Sequence, residues 1–211
     1  MGELSRKIGS NASSDWKTGS VKVSVKVSWD AVPDDRDGFV EKCFKDPPRE
    51  YDLDLAAILC GANGSAVDVV YYAKPSYGDG VVQYTGDSRY GRIEGEDWDG
   101  AVMSLDLGSM PSDICMIDLV IDMYGAVSDD PTGGQHLPEL ENAFALLTDM
   151  SGGRETELFK CDFSEEKYNR KHGFVFCRLL RDGKSLWKWE PREETFGDDI
   201  AGLQAIVDRY Q

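Results

Sequence analysis

Val21, Val23, Val25, Val27 and Trp29 alternate without a break with Lys22, Ser24, Lys26 and Ser28. A period of two puts one set of side chains on a dry face and the other on a wet face, which a helix of 3.6 residues per turn cannot do. The segment is a β-strand, and its dry face needs a second layer to cover it. Apolar runs then recur at 53–60, 67–72, 80–84, 101–107 and 114–124, separated by Gly, Pro, Asn, Asp and Ser. No amphipathic helix of the length a βαβ unit requires stands between them, so the pattern predicts a mainly β chain folded as a two-sheet β-sandwich. Near the end, Arg181-Asp182-Gly183-Lys184 places Asp-Gly between the runs 174–180 and 186–189, a strong hairpin signal.

Two segments break the β pattern. Leu140, Phe144 and Leu147 have helical spacing and predict a short helix near 138–147, with continuation into a strand as the alternative. Ile200, Leu203, Ile206, Val207 and Tyr210 share one helical face and predict a C-terminal helix over 198–210, capped by Asp198 or Asp199. The polar start, residues 1–17, reads as a flexible leader, and 18–211 reads as one domain without internal repeats. Within it, 30–50 is charged and carries Pro47-Pro48, which excludes a central strand and predicts a loop.

The 211 residues carry 23 Lys+Arg against 39 Asp+Glu, a formal net charge of −16. That field repels phosphate backbones and anionic membrane faces, which disfavours nucleic-acid binding. No apolar stretch approaches the roughly 20 residues that span a bilayer, and no hydrophobic signal core begins the sequence, so neither stable membrane insertion nor export is expected. Cys43, Cys60, Cys115, Cys161 and Cys177 are odd in number, contain no CxxC pair and lie mostly in apolar runs. They read as small buried hydrophobes of a reducing compartment, and a cytoplasmic protein is the expectation.

The chemistry concentrates in carboxylates. Between Asp87 and Asp99, five of thirteen residues are acidic, and glycines interrupt them. Such a loop can turn its oxygens inward only around a cation, and a carboxylate-dense, glycine-containing loop suits calcium better than magnesium. The EF-hand spacing is absent. On composition alone the loop reads equally as a solvated acidic segment. Asp52 and Asp54 open an apolar strand, where the period of two puts both on one face. They repel one another unless one is protonated or a cation bridges them; by themselves they read as a strand end facing water. Neither His136 nor His172 lies in a nucleophile motif, the phosphate-loop and zinc-protease patterns are missing, and Trp187 and Trp189 share a face as core residues do. An enzyme is not expected.

The ordered blocks of the chain carry a resemblance. Val82-Gln83-Tyr84-Thr85-Gly86-Asp87-Ser88, followed by Gly91, Glu94-Gly95-Glu96-Asp97, an apolar strand and Met110-Pro111, resembles the signature H-T-G-D-N-x-T-G-x-G-D-G-D-D-E of the tellurium-resistance TerD family. Val27-Ser28-Trp29-Asp30 is similar to the family's early W-D, and Asp52-Leu53-Asp54-Leu55 to its D-L-D. Met123-Tyr124-Gly125-Ala126, Asn142-Ala143-Phe144, Phe159-Lys160-Cys161-Asp162-Phe163 and Leu186-Trp187-Lys188-Trp189 fall where further blocks are expected, so the likeness spans about 21–210.

The resemblance implies a β-sandwich of TerD type, in a cytoplasmic, non-enzymatic protein of the tellurium-resistance or general stress response. It implies one or two calcium ions held by Asp52, Asp54, Asp87, Glu94, Glu96, Asp97 and Asp99, with Ser88 and loop carbonyls completing the shell. It also implies other stress or tellurium-resistance proteins as partners. The loop departs from the signature at Ser88, Ile93, Glu94, Glu96 and Trp98. Longer Glu arms move the carboxylates outward, and Ile93 stiffens a backbone that glycine leaves free. Two rival readings follow: a metal-free interaction scaffold that uses 30–50 or the face near Trp98, and a small-ligand module of the cyclic-nucleotide-binding kind.

Overall fold

A computed structural model describes residues 21–30, 51–86, 100–124, 136–183, 186–192, 194–197, 200 and 202–211, together with the backbone of Asp15–Trp16. The strands among them are β1 (Asp15–Trp16), β2 (Lys22–Asp30), β3 (Asp52–Cys60), β4 (Ala66–Val70), β5 (Ser76–Tyr77), β6 (Val82–Thr85) and β7 (Ala101–Asp106). The second half adds β8 (Met116–Tyr124), β9 (Glu141–Asp149), β10 (Thr156–Asp162), β11 (Gly173–Asp182), β12 (Leu186–Pro191) and β13 (Thr195–Phe196). They form two antiparallel sheets. The first runs β1-β12-β11-β8-β3-β4, with β13 also on β11; the second runs β10-β9-β2-β7-β6-β5. The mainly β, two-sheet expectation holds.

The alternation in β2 works as the sequence requires. Val23, Val25, Val27 and Trp29 are at most 1% exposed, while Lys22 is exposed and Ser24 and Lys26 half-buried. They meet Leu53, Leu55, Ala57 and Leu59 of β3 and Ile117, Leu119 and Ile121 of β8 in one core between the sheets. The first sheet is also apolar on its outer face, where Ala56, Ile58, Cys60, Val120, Val175 and Phe196 gather with Ile206. That second cluster explains why 55–60 reads as an unbroken apolar run: both faces of β3 are covered there.

The cover is the C-terminal helix α1 (Gly202–Val207), continued by a 3₁₀ turn over Asp208–Tyr210. It is shorter than the predicted 198–210, and Asp198 and Asp199, its expected caps, lie outside the described residues. Tyr210 anchors it, since its hydroxyl donates at 2.6 Å to Oδ2 of Asp118 in β8. Arg178 of β11 donates to the same carboxylate from Nε at 2.7 Å and Nη2 at 2.6 Å. Asp118 is 0% exposed, so three charge-assisted bonds carry its charge in place of water.

The helix expected near 138–147 is corrected. Only Leu137–Glu139 forms a 3₁₀ turn, and 141–149 is strand β9. Pairing decides this: Ala145 faces Val27 and Leu147 faces Val25 across β2, which buries Ala143, Ala145 and Leu147 on a period of two. A central strand partner outweighs a weak helical preference. Within the predicted leader, Asp15 and Trp16 pair with Lys188 and Trp187; residues 1–14 and 17–20, and the 30–50 loop from 31 onward, lie outside the described residues. The Asp-Gly hairpin joins β11 to β12, and Trp187 and Trp189 are buried. Arg181 locks the loop before β8 by donating to the carbonyls of Ile114, Met110 and Pro111 at 2.8–2.9 Å, while stacking on Trp187 at 4.7 Å.

Candidate metal centre

Asp52 and Asp54 occupy the first and third positions of β3, so the pleat sends both to the same face. Leu53 and Leu55 enter the core between the sheets, which places the two carboxylates on the outer face of the first sheet. Asp54 is 5% exposed and Asp52 half-buried. Across the ladder, Asp54 stands opposite Asp122 of β8, and Asp52 opposite Tyr124. Directly opposed side chains on one face have Cβ atoms about 5 Å apart, so Asp54 and Asp122 are close like charges.

Asp122 was not legible as a site residue, because it sits inside the apolar run 114–124. A carboxylate in such a run is itself the signal. It is 3% exposed and its Oδ1 is buried without a hydrogen-bond partner. Burial pushes its pKa up to about 7, against the opposing pull of His172 and of the Met123 backbone N–H. The carboxyl leans towards β11, where a Cβ on Gly173 would come within 2.9 Å of Oδ1 and 2.7 Å of the Ile121 carbonyl. Glycine at 173 makes that space.

A row of titratable groups continues from there. His172 is 2% exposed and stacks on His136 with ring centroids 5.1 Å apart. His136 Nδ1 lies 3.0 Å from Oε1 of Glu139, and Oε2 of Glu139 accepts the Tyr51 hydroxyl at 2.9 Å. On the open side stand Tyr124 and Tyr72, 61% and 44% exposed. Partial desolvation and the charge of Asp54 raise the pKa of the Tyr72 hydroxyl, with Tyr124, Tyr71 and Asp52 contributing less.

The acidic loop springs from the same end of the molecule. Its flanks, Gly86 after β6 and Gly100 before β7, meet where Ala101 pairs with Val27 near the end of β2. That end is tied to the first sheet by the Tyr51–Glu139 bond and by the Leu137 N–H donating to Lys171 O, and Asn142 holds Asp30 at 2.6 Å. Both glycines have positive φ, 79° and 81°. A Cβ on Gly86 would overlap the Gly100 carbonyl, and one on Gly100 the Val27 carbonyl. The loop base is therefore pinned backbone to backbone. Asp87, Ser88, Glu94, Glu96, Asp97 and Asp99 lie outside the described residues. Among the described residues no group of three His, Cys, Asp or Glu side chains converges as metal ligands. Asp52 and Asp54 are hard oxygen donors on a stiff strand, which fits a calcium shell in donor chemistry and supplies a part of its six to eight oxygens.

The family model described as the TerD domain matches residues 7–210 of the chain. The chain belongs to the TerD domain family. Among curated relatives, this TerD-domain chain is 26% identical over 201 residues to tellurium resistance protein TerD of Serratia marcescens, covering 93% of each. It is 27% identical over 124 residues to general stress protein 16U of Bacillus subtilis (strain 168), covering 57% of this chain and 60% of that one. The TerD fold recurs in the crystal structure of a homologue of telluride resistance protein from Streptomyces coelicolor A3(2), with a TM-score of 0.64 at 19% identity over 85% of this chain and 92% of the other. The protein is thus of the tellurium-resistance and stress-protein family, with its fold. Among the described residues, no helix is long and apolar enough to cross a membrane.

Proposed function

We propose that this TerD-family protein is a non-enzymatic calcium-binding protein of the cytoplasm, holding one or two ions between the carboxylates of β3 and the 87–99 loop. Asp52 and Asp54 hold the ion from the sheet; Asp87, Ser88, Glu94, Glu96, Asp97 and Asp99 hold it from the loop. The observation that carries the reading is the shared position. A buried Asp54, faced by Asp122, lies at the end of the sandwich from which Gly86 and Gly100 launch five more carboxylates. Such a concentration of negative charge is stable when a divalent cation neutralises it, and that neutralisation is the chemistry the ion supplies.

This chain's own part is geometric. The strand fixes the two Asp side chains at one spacing, and the core beneath them keeps their backbone from yielding. Buried thiols at Cys60 and Cys177, outside any disulfide among the described residues, support a reducing compartment. The names of the relatives support other tellurium-resistance or stress proteins as partners.

Thermal melts in EGTA and in millimolar calcium test the reading, together with ion counting by native mass spectrometry. At a calcium concentration of 100 times Kd, the folded state gains about 2.7 kcal/mol, a rise of roughly 5–10 °C for a chain of this size. Asp52→Asn and Asp54→Asn abolish the rise, whereas Asp113→Asn on an exposed loop keeps it. Superimposable wild-type melts with no bound ion refute the calcium reading and favour the metal-free scaffold.

A further inference from the structure

The outer face of the first sheet carries a second feature at its opposite end. There a cavity of about 260 Å³ is lined by Met116, Arg178, Glu194, Phe196, Arg209 and Tyr210. Its Met116 wall pairs with Cys60, the last residue of β3, whereas Asp52 is the first. At about 3.3 Å per residue the two ends are roughly 26 Å apart, so the cavity is separate from the candidate metal centre.

Arg178 defines what this cavity can take. A guanidinium offers two forks, a side edge of Nε with one terminal nitrogen and an end edge of both terminal nitrogens. Asp118 occupies the side edge through bonds of 2.7 and 2.6 Å. On the end edge, Nη1 and the second N–H of Nη2 make no bond to the described protein, and the side chain remains 20% exposed along the cavity. Asp118, fully buried and also bonded to Tyr210, holds the guanidinium from behind. A ligand that meets this fork therefore finds it already oriented and orders little on binding.

The rest of the lining sets the ligand class. Phe196 and Met116 give an apolar wall. Arg209 donates at 2.7 Å to Glu194 and lies 5.5 Å from the Phe196 ring centroid. That pair is 46% and 40% exposed, so it is worth little and opens readily. Asp118 and Glu194 already offset the two arginines, and the chain carries −16 overall. A doubly charged phosphate meets net repulsion here, whereas a single carboxylate fits the fork at half that cost in charge. The volume lies just under the roughly 300–1,000 Å³ of ordinary ligand pockets, which restricts the guest to a small molecule. We propose that this cavity binds a small monocarboxylic acid, its carboxylate on the end edge of Arg178 and its apolar part against Phe196 and Met116.

Titration of the full chain with benzoate, in EGTA and at constant ionic strength, tests the proposal by NMR at the Arg178 Nε–H and the Met116 methyl. Saturable shifts are expected at both, with weaker binding of inorganic phosphate. Glu194→Gln frees Arg209 and removes a repelling charge, so benzoate binds about threefold tighter, the order of one exposed ion pair. Arg209→Ala weakens it. Arg178→Lys keeps the charge but loses the fork, and binding falls about tenfold or more, the order of one charge-assisted hydrogen bond. Where Arg178→Lys does not fold, the opposite responses of Glu194→Gln and Arg209→Ala decide. Shifts that never saturate, benzoate affinity unchanged in Glu194→Gln, or phosphate bound as tightly as benzoate each overturn the proposal.

Discussion

Replacing Arg178 by Met tests the bond network that fastens the C-terminal helix to the sheet. The substitution removes two hydrogen bonds, 2.7 Å to Oδ1 and 2.6 Å to Oδ2 of Asp118, and leaves the Tyr210 hydroxyl as the donor to that carboxylate. Asp118 is 0% exposed, so water does not replace what is lost. Breaking a buried ion pair from one side costs about 3–5 kcal/mol, because an uncompensated charge stays behind. For a chain of this length each kcal/mol moves the midpoint by roughly 2–4 °C, so Tm falls by about 6–20 °C. Urea unfolding followed by tryptophan fluorescence reads the same loss as a shift in midpoint at constant slope. The double variant Asp118→Leu with Arg178→Met removes both charges and recovers most of the loss, since a packed apolar pair replaces a buried ionic one at little net cost. A loss below about 1 kcal/mol in Arg178→Met would falsify the argument, because it means that solvent reaches the pair and screens it.

Three further outcomes are expected. Gly86→Ala and Gly100→Ala each lose about 1–3 kcal/mol in chemical denaturation, because positive φ and a Cβ overlapping a backbone carbonyl are both imposed at once. Asp122→Asn stabilises the calcium-free protein in full at pH 8, about half as much at pH 5.5 and hardly at pH 4. With its folded pKa raised to about 7 above an unfolded value near 4, the carboxyl contributes stability at low pH that is lost as pH rises through 7, at most about 4 kcal/mol. Melts in EGTA across that range check the sign, and a variant effect independent of pH contradicts it. Arg181→Lys loses the bonds to Ile114, Met110 and Pro111 and the contact with Trp187, costing about 1–3 kcal/mol and raising hydrogen exchange of the Ile114 and Cys115 amides, which donate to Pro111 and Cys60.

By itself the sequence determined the strands whose side-chain pattern admits one period, and the turn residues that no other conformation tolerates. The alternation of β2, the apolar runs of β3, β7 and β8, and the Asp-Gly hairpin between β11 and β12 were legible because each is set within a dozen residues of chain. Asp52 and Asp54 were legible as a same-face pair for the same reason, while the residues of the 87–99 loop lie outside those described. Tertiary structure decided the rest. Segment 141–149 has apolar residues compatible with either period, and pairing with β2 made it a strand. β10 is a polar edge strand, which alternation marks weakly. Asp122 facing Asp54, His172 stacked on His136, and Asp118 shared by Arg178 and Tyr210 join residues 68, 36, 60 and 92 positions apart. Local propensity carries no information about such meetings; they exist because two sheets and a helix close over one another, and burial then fixes which charges must be paired.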